Sequence, residues 1–526
     1  MEEVVEGKDG AQVTIYVNNL QKYMDSLVHQ APAYSSFLQR ILSEEQRKTP
    51  DGVHAILYVD ECVPGNILQP DNQRKSYCMY FCFRCLADFR SILHWWPVAL
   101  LRHSQIDLLQ DGLPEFFTRA VRLLVPILSG LLLENETLIV TKKIFLIADE
   151  AALKAVAGSK GASGLRPCLH CDAFSKDRSN MASSLGTASI ACSTFGRFRV
   201  LPDSEILDVL QHLQQVRDTQ TKSALEEAQK LLGWVLNESV CFLQPDISAY
   251  LQPTAFQYDA MHCYWSNGQV NCEVGLFFSQ AVRLANLDNR QLTHFFERTW
   301  RRTQIRFEKS CSLQSLFHHK LLRKDSDYKG DAVQTLEILP LLAFFASQEL
   351  QYCQELAPNI QSLVALWHVT THILNAKQNI DAIHGLQRLQ EIHLEYFVQA
   401  YSEEKVRPKH HIAGHIEQQA LETGVLLDCF PGERKNKTFK NVLCPNISRL
   451  QGFEKAVLLR WLEYDLQSLE TFTDNVLLLA QFESIGNVRV GKGLRCYWGE
   501  IKAGHILLLN EATAVEVLGC TQENLV

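Results

Sequence analysis

The chain has 526 residues, which at ~150 residues per domain predicts three or four domains or one large elaborated one. Apolar residues make up 46% and charged residues 21%, with 26 Gly and 16 Pro, so collagen-like and broadly disordered organisations are excluded. The formal charge of −8 means that a polyanionic partner has to be met by a local basic patch and not by the surface as a whole.

The 16 Cys lack the density of a stapled small secreted domain and fit a reducing compartment. Glu2, Glu3 and Glu6 stand where a secretory signal would carry basic residues and then an apolar run. The longest apolar stretches, such as 338–346, fall short of the ~20 residues that span a bilayer. The expectation is a nuclear or cytoplasmic protein, not secreted, with no membrane partner and no small-molecule organic cofactor.

In chain order, residues 1–50 are predicted as an N-terminal helical segment, because Ile15, Leu20, Met24, Leu27, Phe37, Ile41 and Leu42 fall at helical spacings with a break near Pro32. Between 51 and 160, apolar and aromatic runs at 54–59, 77–85 and 95–101 predict three consecutive strands. A helical stretch at 104–133, a strand at 143–148 and a helix at 150–157 follow. Residues 161–250 read as a C-x-x-C loop rich in Gly, Ser and Cys, then a helical stretch with Ile206, Val209, Leu210 and Leu213 on one face. A core strand is predicted within 251–274, an all-helical insertion over 275–405, a return to the core over 406–482, and a small β-rich tail over 487–526. The predicted fold class is therefore α/β: an RNase H-like mixed sheet with a large all-helical insertion and a β-rich C-terminal tail.

Asp60 closes the run Ala-Ile-Leu-Tyr-Val-Asp, and Asp149 closes Ile-Phe-Leu-Ile-Ala-Asp. If the two strands are sheet neighbours, both carboxylates reach one edge, where mutual repulsion makes a divalent cation the natural way to hold them ionised. Hard oxygen ligands point to Mg²⁺ or Mn²⁺. Singly, each Asp is also explained as a turn residue or, for Asp149, as a helix N-cap. Glu433 opens a helix in Pro-Gly-Glu-Arg-Lys-Asn-Lys, and helical spacing places Lys437 and Lys440 on its face, so an acid sits beside cations suited to phosphate oxygens. A solvated helix start explains the same residues.

Cys168 and Cys171 offer half of a tetrahedral Zn²⁺ site. His410 and His415 are chosen to complete it, with His411 and His262 as the other candidates. The second pair, Cys82 and Cys85, lies in a strand-like run whose i and i+3 side chains diverge, which makes it a poor chelator. Basic residues cluster at 298–324, opposed there by Glu308 and interleaved with Trp300 and Phe307. Arg298, Arg301, Arg302 and Arg306 are accordingly predicted to track a phosphate backbone. Lys409, Arg434, Lys437 and Lys440 complete the predicted DNA-contacting set.

Taken together, Leu57-Tyr58-Val59-Asp60, Ala148-Asp149-Glu150, the Cys168/Cys171 pair, Asp259-x-x-His262, Pro408-Lys409-His410-His411 and Gly432-Glu433-Arg434-Lys435-Asn436 resemble, in that order, the CACTA (En/Spm) and Plavaka-like DDE transposases. The resemblance runs from about 54 to 460. It implies an RNase H-like catalytic domain, Asp60, Asp149 and Glu433 as ligands of two Mg²⁺ or Mn²⁺ ions, and Asp259 and His262 as an auxiliary pair. Asp259 also stands as the alternative second catalytic Asp. The implied activity is cleavage of DNA at element ends followed by 3′-OH strand transfer, with the protein oligomerising on DNA. A non-catalytic transposase-derived DNA-binding or scaffold protein, and an RNase H-like nuclease without strand transfer, are the alternatives.

Overall fold

The computed structural model describes residues 1–66, 69–87, 91–173, 199–303, 313–323 and 326–444, then 447, 450–470 and 472, and beyond these the short strands between 478 and 521. Most of the predicted Gly/Ser/Cys-rich insertion, 174–198, lies outside the described residues.

The N-terminus departs from the helical expectation. Strands β1 (Glu2–Glu6) and β2 (Gln12–Val17) form an antiparallel hairpin. Val13, Ile15 and Val17 are buried on alternate positions, a period of two that a helix would scatter around its surface. Asp9 and Gly10 make the turn with φ of 56° and 73°. Helices begin only at α1 (Leu20–Gln30), capped by the Asn19 side chain, and α2 (Pro32–Lys48), where Pro32 takes the first helical turn at no cost in hydrogen bonds.

The three predicted strands are β3 (Val53–Cys62), β4 (Ser76–Phe83) and β5 (Trp96–Arg102), an antiparallel meander. β6 (Thr141–Ala148) and the two-residue β7 (Phe256–Gln257) add in parallel on the other side of β3. The hairpin joins through β2 to β5, giving a seven-stranded mixed sheet in the order β1-β2-β5-β4-β3-β6-β7. β3, β4 and β6 read as nearly unbroken apolar runs, and their side chains are buried at consecutive positions, as strands covered on both faces are. β3 does not stop at Asp60 but runs on to Cys62, with Asp60 opposite Cys78.

Helices α3 (Leu113–Leu128) and α4 (Glu150–Ala157) flank the sheet, followed by α5 (Asp203–Thr219) and α6 (Lys222–Leu232). After β7 and the short α7 (Ala260–Tyr264) come the helices of the predicted insertion: α8 (Gln269–Ala285), α9 (Asn289–Thr303), α10 (Ala332–Glu349), α11 (Ala357–Gln378) and α12 (Leu386–Tyr401). The chain returns to the sheet through α13 (Pro408–Ile412), α14 (Ile416–Thr423), α15 (Phe430–Thr438) and α16 (Phe453–Leu469). Trp461 of α16 meets the Tyr80 ring edge-on, and Arg102 at the end of β5 pairs with the buried Glu454. Among the described residues, the C-terminal strands pair with one another as small antiparallel ladders. No helix among the described residues is long and apolar enough to cross a membrane.

Candidate functional site

The parallel register pairs Val59 with Ala148, so the next residues, Asp60 within β3 and Asp149 just past the end of β6, follow side by side on adjacent strands. Glu433 arrives from α15, which approaches β3 closely: a Cβ on Gly432 would collide with the Tyr58 ring. Burial, then the charge of Glu433 and further that of Asp149, push the Asp60 carboxyl up to about 7, with the Tyr58 hydrogen bond and His262 opposing. The structure thus brings all three predicted acids into one electrostatic neighbourhood. Two groups of metal-type ligands converge within 4.8 Å among the described residues, and this trio is not one of them.

Two further residues of the Gly432–Asn436 motif are buried, and one of them reaches Asp60. The Lys435 ammonium is buried in a pair with Asp465, 2.8 Å to each oxygen. Asn436 is buried and donates to Asp60 Oδ2 at 2.6 Å. Asp149 also caps α4, accepting the Ala152 N–H, so the N-cap explanation is true of it without displacing it from the site.

Asp259 is a hub. Its Oδ1 accepts the N–H groups of Met261 and Cys429, and its Oδ2 accepts the His262 N–H and, at 2.5 Å, bonds His262 Nδ1. Burial would raise its carboxyl, but the His262 contact and charge with the backbone donors outweigh this and hold it below the ordinary range. Four donors saturate its oxygens, so Asp259 pins His262 and the start of α15 while Asp149 keeps the place beside Asp60. Burial opposes a proton on His262, yet Asp259 and the charges of Asp149 and Asp60 raise its affinity for one. Asp259, His262 and Cys429 form one of the two convergent groups.

The other group is Cys168, Cys171, His411 and His415. Cys168 Sγ lies 3.2 Å from His415 Nε2, and Cys171 Sγ lies 3.2 Å from His411 Nε2. Two thiols and two imidazoles at C-x₂-C and H-x₃-H spacing are a donor set for tetrahedral Zn²⁺. Burial opposes the Cys168 thiolate, but Cys171, His415 and His411 together hold its pKa well below that of a free thiol. The His170 N–H points at Cys168 Sγ, 3.4 Å away, and the Tyr258 hydroxyl at 3.7 Å, a supporting shell for a ligated thiolate. This corrects the choice of His410. On the helical turn that begins with α13, residues 411 and 415 share a face at i and i+4, whereas His410 turns away to pack on Phe397 and His393. Burial, then His393, lower its pKa to about 3, and its Nδ1 accepts the Arg407 N–H. The spacing H-x₃-H was available in the sequence and was the signal that could have selected His411. Cys82 and Cys85 belong to neither group.

The predicted DNA contacts divide. Arg434 and Lys437 are exposed on α15, Lys440 is half-buried, and a π-turn over Phe439–Leu443 interrupts the i, i+4, i+7 face expected to join it to Glu433. Lys409 is a correction: its ammonium donates to the carbonyl oxygens of His262, Ser266 and Asn267, closing a loop and not facing a phosphate. Arg298 is exposed on α9 and lies 3.7 Å from Glu349. Arg301 and Arg302 are in the same helix with side chains outside the described residues, as is all of Arg306.

No protein-family model and no curated protein matches this chain.

Proposed function

We propose that this chain is a metal-dependent DDE-type phosphoryl transferase acting on DNA, similar to the CACTA and Plavaka-like transposases, with Asp60, Asp149 and Glu433 as its acidic triad. The observation that carries the reading is the meeting of three segments remote in sequence: Asp60 and Asp149 follow the paired Val59 and Ala148 on adjacent parallel strands, and α15, which carries Glu433, hydrogen-bonds Asp60 through Asn436. The sheet supports it: an antiparallel three-strand meander extended by two parallel strands is the arrangement an RNase H-like core requires, and the helical insertion falls between the second and third acids.

The donor set, carboxylate oxygens alone, suits hard cations, and the proposed reaction would use a pair of them ~4 Å apart. Bound there, such ions would activate an attacking oxygen and neutralise the leaving one. The protein's part is to hold the acids. Tyr58 and Asn436 fix Asp60, α4 fixes Asp149, and the close approach at Gly432 seats Glu433. Arg434 and Lys437, exposed on the helix that carries Glu433, would be the cations that meet phosphate oxygens. The Cys168, Cys171, His411 and His415 quartet, as a structural zinc site, would tie the segment after α4 to the segment that leads into α15, so that Glu433 returns to a fixed place.

The test is Mg²⁺-dependent cleavage of duplex DNA by the full chain, with Asp60→Ala and Glu433→Gln as controls. Both variants are expected to lose nicking while retaining DNA affinity and fold. Undiminished nicking by either one ends the assignment, and cleavage without joining of labelled 3′ ends to target DNA would indicate a nuclease without strand transfer.

A further inference from the structure

Asn436 follows Glu433 by three residues on α15 and is 1% exposed, yet its side chain serves a distant strand. Its Nδ2 donates to Asp60 Oδ2 at 2.6 Å, and its Oδ1 accepts the Tyr80 hydroxyl at 2.5 Å. Tyr80 decides which way the amide points. With the hydroxyl donating to Oδ1, the N–H side is left for Asp60, whereas a reversed amide would set oxygen against carboxylate. The Cys62 thiol adds a longer contact to the Asn436 carbonyl oxygen at 3.7 Å.

Asp60 Oδ2 also accepts the Tyr58 hydroxyl at 2.8 Å. Two donors fill the two lone pairs of that oxygen. Oδ1 receives one bond, from the Glu61 N–H at 2.8 Å, and keeps one lone pair. If the only need were to satisfy a buried carboxylate, Tyr58 and the Glu61 N–H already go far toward it. The third donor comes from the helix that brings Glu433, so it relates one acid of the triad to another.

We infer that Asn436 is a positioning residue for metal binding: clamped by Tyr80, it holds Asp60 Oδ2 so that Oδ1 is the oxygen presented to a cation, and through Oδ2 it ties the carboxylate to the helix carrying Glu433. The inference rests on the acidic triad being a metal site.

The experiment is titration of the full chain with Mn²⁺ alone, without DNA, followed by electron paramagnetic resonance, alongside zinc content and unfolding midpoint. Wild type is expected to take up Mn²⁺, and Asn436→Ala to bind it roughly 10- to 100-fold more weakly with zinc content unchanged. Tyr80→Phe, which removes a hydroxyl that bonds Asn436 and not Asp60, should weaken binding in the same direction by a smaller factor. A folded Asn436→Ala with Mn²⁺ affinity within about twofold of wild type overturns the inference, since supporting residues of a metal site cost more than that. If Asn436→Ala does not fold, Tyr80→Phe decides by the same criterion. Asp60→Ala separates the two levels. Lost uptake in Asp60→Ala with normal uptake in Asn436→Ala defeats only this inference, whereas normal uptake in Asp60→Ala, or none in wild type, defeats the triad reading and this inference with it.

Discussion

Cys171 Sγ and His411 Nε2 stand 3.2 Å apart although 240 residues separate them in the chain. The whole helical insertion lies between the two halves of the quartet, so an ion held there closes a very long loop, where the entropic gain from cross-linking is largest. The purified protein is expected to carry about one zinc per chain, as four protein ligands close one tetrahedral site. His411→Ala should lose that zinc, and His410→Ala should keep it while losing stability through the cavity left beside Phe397. Metal analysis of the two variants checks this directly.

The Asp60 carboxyl, raised from 3.8 to about 7, makes a signed prediction for metal-free protein. Between those values the native state holds a proton that the unfolded chain has released, so stability falls as pH rises and is recovered as pH falls through 7 toward 4. At about 1.36 kcal/mol per unit, the group's contribution changes by several kcal/mol across that window. Urea unfolding at pH 5 and pH 8 should show this dependence in wild type and a flatter one in Asp60→Asn.

Lys435 and Asp465 are buried together, so removing one partner strands the other. Lys435→Met is expected to cost about 3–5 kcal/mol in chemical unfolding, and Lys435→Met with Asp465→Leu to recover most of it. Burial raises the Asp465 carboxyl and the Lys435 charge opposes this, which is the imbalance that the single variant exposes.

Gly432 is where α15 crosses Tyr58 with no room for a methyl group. Gly432→Ala should cost about 1–3 kcal/mol by overpacking and reduce nicking by more than the loss of folded protein accounts for, because the helix that shifts carries Glu433. Comparing the specific activity of the folded fraction with unfolding curves separates the two effects.

His94 gives the opposite pH sign from Asp60. Buried against Tyr34 and Phe37, it is held neutral, its pKa lowered to about 3 by burial and then by Lys435. Its contribution is complete above the unfolded value of 6.5 and is lost as pH falls from there toward 3. His94→Phe should shift the acid unfolding midpoint to lower pH.

Much of the site was legible locally. The apolar runs ending near Asp60 and Asp149, the C-x₂-C pair and the acid at the start of α15 are short-range patterns, and short-range patterns survive in a linear reading. The first hairpin is hard to read locally because the alternation of Val13, Ile15 and Val17 spans only one short strand and abuts the helical spacing of Leu20, Met24 and Leu27. Residue type alone does not separate His410 from His411; the i, i+4 geometry that the following turn imposes does.

By itself the amino-acid order determined which residues could serve as acids, thiols and imidazoles, and the strand and helix ends that would carry most of them. Only the tertiary structure decided that Lys409 would spend its charge on three carbonyls, that Gly432 would be the point of closest approach, and that Asn436 would reach Asp60 across 376 positions. The physical reason is that hydrogen-bond partners and steric limits are set by distance in space, and those contacts form between segments whose nearness no local periodicity encodes.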